Sequence, residues 1–106
     1  MFERERIKGE GIDISLNNPD HILAPNDPDM VARGRFEKIT PAEYKEWYMA
    51  LIKERWASRK AEFISLATEG RNKTIKLKCF CADTSPYCHG KIAVNFMNAL
   101  LKKFPA

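Results

Sequence analysis

The residues of this chain best suited to chemistry lie in one stretch, Cys79-Phe80-Cys81-Ala82-Asp83-Thr84-Ser85-Pro86-Tyr87-Cys88-His89-Gly90, followed by Lys91. All three cysteines and one of the two histidines fall within it. Three chemistries fit these residue types. An anion or nucleotide pocket would have Cys88, His89 and Gly90 at its mouth, hydroxyls from Thr84 and Ser85, and Cys81 and Lys91 beside them. Glycine lets a ligand approach the backbone, and lysine adds charge. A reactive thiol would be Cys88, because a helix amino terminus and a neighbouring imidazolium both favour thiolate; His89 would then be the base. A zinc site would take Cys79, Cys81, Cys88 and His89. Those ligand types suit a structural site, but one residue separates Cys79 from Cys81, where finger and ribbon sites place at least two. No cofactor is therefore expected. Cysteine is also among the most buried residue types, and Cys79 reads as core. His21, alone in a polar segment, receives no role.

Position strengthens the candidate. Thr74-Ile75-Lys76-Leu77-Lys78-Cys79 alternates strictly, which predicts a strand with Ile75, Leu77 and Cys79 inward. From Ile92 to Phe104, apolar residues at Ile92, Ala93, Phe96, Ala99 and Leu100 mark one face of a helix. The motif thus starts at the carboxyl end of a strand and finishes at the amino end of a helix. In open α/β sheets ligands bind in that crevice. Free N–H groups and the positive end of the helix dipole there suit phosphate or carboxylate.

The elements upstream must hold this segment in place. Thr40-Pro41-Ala42-Glu43 is a capping box with proline at the first helical position. Tyr44, Trp47, Tyr48, Leu51 and Ile52 follow at helical spacing, more suited to packing than to stacking on bases. The helical pattern runs to Gly70, which reads as a C-cap, and its length predicts two helices or one bent near residues 56–59. Earlier, Gly11 to Leu16 alternates as a strand burying Ile12, Ile14 and Leu16, and ends in the turn cluster Asn17-Asn18-Pro19-Asp20. A long loop then passes Pro25-Asn26-Asp27-Pro28-Asp29 to Gly34. The order strand, loop, helix, helix, strand, loop, helix predicts an α/β fold. It would be a single domain over residues 1–106, with a short parallel or mixed sheet covered by helices in two or three layers. Residues 1–10 read as a flexible N-terminal arm.

Composition sets the outer limits. With 44% hydrophobic and 30% charged residues, the chain has the balance of a globular domain and not of a disordered one. No apolar run approaches the roughly 18 residues a membrane span needs. Met1 to Arg6 has no apolar core behind it, as a signal peptide would. The cysteines cluster and do not spread as a disulfide framework, so the cytoplasm is the expected location. The net charge of +4 is uneven: residues 1–40 carry six basic and eight acidic side chains. Arg71, Lys73, Lys76 and Lys78 form the densest basic run, which favours an anionic ligand or partner, although edge strands also use lysine as a guard against pairing. No nucleic-acid recognition motif is present, so nucleic acid ranks third, after an anionic small molecule and a protein partner.

A lysine-flanked strand into Cys79-Phe80-Cys81, a short polar loop and then Cys88-His89-Gly90 opening a helix resembles a group of small bacterial and phage domains of unknown function. These share a Cys-x-Cys or Cys-Ala-Glu strand end and a Cys-His-Gly or Cys-His-Arg helix start. The resemblance covers residues 40–102. The family's first strand often reads Val-Asp-x-Arg; here Ile12-Asp13-Ile14-Ser15 has serine where the arginine would be. The resemblance implies a compact α/β fold and a small-ligand site at Cys79, Cys81, Cys88, His89 and Gly90. It also implies a phage origin, and with it a host protein as the alternative partner.

Overall fold

The computed structural model describes residues 1–15, 18–26, 40–79 and 88–103. Three parallel strands, β1 (Phe2–Arg6), β2 (Ile12–Asp13) and β3 (Ile75–Cys79), lie in the order β1-β3-β2. Two helices, α1 (Pro41–Asn72) and α2 (His89–Lys103), complete the described α/β fold. The register pairs Phe2 with Ile75, Arg4 with Leu77 and Arg6 with Cys79, so these six residues share one face of the sheet. Phe2, Ile75 and Leu77 join the helix residues Tyr48, Ile52, Phe63, Ala93 and Met97 in one buried core. Lys76 and Lys78 have the opposite parity and lie on the other face.

The first strand is a correction. Residues 1–10 read as an arm, yet Phe2–Arg6 pairs along the whole of β3. Phe2 is buried, and its ring lies where a side chain on Gly70 would stand. That contact gives Gly70 a packing role, and it is not the helix end: α1 continues to Asn72 and is capped at Lys73. The outer edge of β1 is closed by Asn98 of α2. Its Oδ1 accepts from the Phe2 N–H (2.8 Å), and its Nδ2 donates to the Phe2 carbonyl (3.0 Å). An edge strand otherwise leaves such groups open to pairing.

The link from β1 to β2 is five residues, although parallel strands usually need a dozen or more. The register shows why five suffice. Arg6 lies opposite Cys79 and Ile12 opposite Leu77, so the chain must return only two positions while crossing β3. That is about 7 Å back and about 10 Å across, within the reach of six peptide links. Gly9 N–H closes a turn on the Arg6 carbonyl (2.9 Å). Gly11, at φ 140°, then passes against the Lys76 carbonyl, where a Cβ would collide. Its positive φ and this close approach both require glycine.

The capping box forms as read: Thr40 Oγ1 accepts from Glu43 N–H (3.1 Å), and the Glu43 carboxylate accepts from Thr40 N–H. The expected bend is at Arg59, the one residue of α1 with non-helical backbone angles. Just before it, the Ser58 hydroxyl donates back to the Glu54 and Arg55 carbonyls, a contact that bends helices. The same helix holds down residues 18–26. Tyr48 Oη donates to the Leu23 carbonyl (2.6 Å), and Arg55 donates to the carbonyls of Ile22, Ala24 and Asn26. The strand read over Gly11 to Leu16 is shorter, with Ile14 buried and its N–H on the Lys78 carbonyl just past β2. Leu16 and residues 27–39 of the long loop lie outside the described residues.

If β1 is a structural strand, Phe2→Ala should lower stability by about 3–5 kcal/mol, as for other buried aromatics. Urea unfolding would read this as a shifted midpoint; an arm would give no shift.

Candidate functional site

The carboxyl ends of β1 and β3 meet the first turn of α2. Gly90 sets that junction. A Cβ on it would lie 2.7 Å from Cys79 Sγ and 3.5 Å from Arg4 Cγ, so the helix start can rest on the strand end only where no side chain intervenes. With the helix seated there, Cys88 Sγ lies 3.7 Å from Cys79 Sγ. Both cysteines are buried, and neither is in a disulfide. Cys79 thus takes the core position its parity indicates.

Arg4 is the residue sequence reasoning missed. It sits on the core-facing row of β1, half-buried, and its Nε donates to Cys88 Sγ at 3.1 Å. The arginine that reaches Cys88 comes from β1, 84 positions earlier in the chain. A signal existed: Phe2-Glu3-Arg4-Glu5-Arg6 alternates, with Phe2, Arg4 and Arg6 on one parity and the two glutamates on the other. Glu5 pairs with Lys76 (3.5 Å).

His89 is buried, and its ring packs edge-on against Tyr48 at a centroid distance of 5.7 Å. Its Nε2 lies 2.9 Å from the Ile14 carbonyl. A carbonyl oxygen only accepts, so Nε2 carries a proton and, in the neutral ring, Nδ1 is the acceptor. Burial lowers the pKa of His89, against the Ile14 hydrogen bond, which favours the charged ring. Beside it, burial opposes ionisation of Asp13, but hydrogen bonds from the Ser15 hydroxyl (2.6 Å) and N–H (2.8 Å), with Lys78, hold its carboxyl below the usual value. His21, given no role, is half-buried and accepts the Leu23 N–H through Nδ1 (3.0 Å). Burial, with Arg59 next in weight, lowers its pKa also.

The structure therefore brings together Cys79, Cys88, His89 and Gly90 and adds Arg4. Lys91 is exposed on the first turn of α2. Cys81, Thr84 and Ser85 lie outside the described residues, so the fourth member of the zinc set, Cys81, does too. Among the described residues no group of three metal-ligating side chains converges. The described helices include none long and apolar enough to cross a membrane. Protein-family models, curated proteins and solved structures gave no match to this chain.

Gly90→Ala should cost about 1–3 kcal/mol through overpacking on Cys79. Combined with Cys79→Ala, the loss should fall short of the sum of the single losses by more than about 0.5 kcal/mol. A double-variant cycle in urea tests this; additive losses would show that the two residues do not touch.

Both histidines have folded pKa values below the ordinary value of about 6.5. The folded state then binds fewer protons than the unfolded chain. The stability is present above that value and is lost as pH falls through the folded values. The melting temperature should hold near pH 7.5 and decline toward pH 5, by roughly 4–8 °C per kcal/mol lost. His89→Gln, which keeps a donor near Nε2, and His21→Asn, which keeps an acceptor near Nδ1, should each flatten part of the decline.

Proposed function

We propose that this protein binds an anionic small molecule, a nucleotide or another phosphate- or carboxylate-bearing metabolite, where β1 and β3 end against α2. The supporting observation is Arg4, which carries its guanidinium along the core-facing row of the sheet to Cys88 and the helix start. An arginine at that place adds a planar, permanently charged fork to the N–H groups and dipole of the first helical turn. Lys91, exposed on the same turn, supplies a second cation. Cys81, Thr84 and Ser85, in the polar loop of the sequence, would complete the mouth.

Within this reading Cys88 and His89 serve binding first. Each is held in hydrogen bonds of the protein's own, Cys88 by Arg4 and His89 by the Ile14 carbonyl. Gly90 contributes by letting the helix start rest on Cys79. The clustered cysteines favour a reducing, cytoplasmic setting.

Calorimetric titration at low salt with inorganic phosphate, AMP, ATP and citrate tests the proposal. At least one should bind, with affinity reduced tenfold or more in Arg4→Gln and less in Lys91→Ala. If none binds at 20 mM salt, or if Arg4→Gln binds as well as the parent, the proposal fails.

A further inference from the structure

A second surface lies away from the sheet's carboxyl end. Lys53, Trp56 and Lys60 of α1 are spaced i, i+3 and i+7, and Phe96, Ala99, Leu100 and Lys103 of α2 i, i+3, i+4 and i+7. Each set lies on one face of its helix, and together they line a groove of about 470 Å³ between the two helices. Its floor is apolar: Trp56 and Phe96 are half-buried and Leu100 is buried. The floor is also fixed, because Phe63 packs edge-on against Trp56 (5.7 Å) and against Phe96 (5.8 Å). The rim is basic and comes from both helices. Lys53, Lys60 and Lys103 are exposed, and among the described residues no acidic side chain lines the groove. The Lys60 ammonium stands 5.2 Å from the centre of the Trp56 ring, which holds one rim charge over the apolar floor.

We infer that this groove docks an acidic segment of another protein, one in which an aromatic or branched aliphatic side chain is flanked by carboxylates. The apolar floor would take the side chain, as buried anchors do at protein interfaces. The three lysines, unopposed by acid in the groove, would pair with the carboxylates and speed association. A small hydrophilic anion would leave the apolar surface of Trp56, Phe96 and Leu100 unused. A duplex would find three cations around a concavity where it needs a long basic track. The surface is distinct from the Arg4–Cys88 site, so either proposal can fail alone.

Selection of the full-length protein against a random 12-residue peptide library tests the inference. Enriched peptides should carry two or more Asp or Glu around a Leu, Ile, Phe or Trp. Their affinity, read by fluorescence anisotropy, should fall tenfold or more in Lys60→Glu/Lys103→Glu and between 50 and 300 mM salt. These surface changes should lower the melting temperature by no more than about 5 °C and leave any anion binding at Arg4 intact. Trp56→Phe, which keeps an apolar floor, should weaken binding less than the charge reversal. Enrichment of peptides without acidic residues would overturn the inference, as would binding indifferent to Lys60→Glu/Lys103→Glu. So would no peptide enrichment together with binding to phosphatidylserine vesicles or concentration-dependent self-association that the charge reversal abolishes, since the occupant would then be a membrane or a second copy.

Discussion

The contact between Gly90 and Cys79 is the constraint on which the candidate site depends. A helix that follows a strand through a loop can start at many heights above the sheet. Here it starts against the strand end, because the first turn has no Cβ at the point of contact and the strand presents a sulfur. That contact puts Cys88 beside Cys79 and within reach of Arg4, and it directs His89 toward β2. The one missing side chain thus sets the relation of three elements at once.

The sheet itself is small, and its closure relies on polar groups as well as on the apolar core. Asn98 occupies the backbone groups of Phe2 at the open edge, while Arg55 and Tyr48 take up the carbonyls of Ile22, Leu23, Ala24 and Asn26 along α1. These are side chains spent on backbone, the use that a chain with short strands and irregular connections must make of its polar residues. His89 belongs to the same economy. Its buried ring donates to the carbonyl just beyond β2, which ties α2 to the far edge of the sheet. Burial of that ring disfavours its charged form, which links the pH dependence of stability to the geometry of the site.

Two surfaces then stand apart in chemistry. At the sheet's carboxyl end an arginine meets thiols and a helix start, an arrangement suited to a compact anion. Between the helices an aromatic floor carries a lysine rim, suited to an amphipathic acidic chain.

Local patterns in the sequence determined much of this protein. Alternation in Ile75–Cys79 marked the buried row of the central strand, the Thr40–Glu43 box marked the start of α1, and the apolar spacing after residue 92 marked α2. Each is legible because it depends on neighbours within a turn or two of chain. The location of the Cys79–Gly90 segment, between a strand end and a helix start, followed from them. What only the tertiary structure decided is which distant residues meet there. Arg4 and Cys88 are 84 positions apart, and His89 and Ile14 are 75. An alternating Phe2–Arg6 segment with two arginines on its apolar parity looks like a solvated arm until a parallel register opposes Phe2 to Ile75 and buries it. Alternation states that a strand has two faces. Which face is covered, and which charge is carried inward with it, depends on the partner strand and the helix above it, and no local pattern records that pairing.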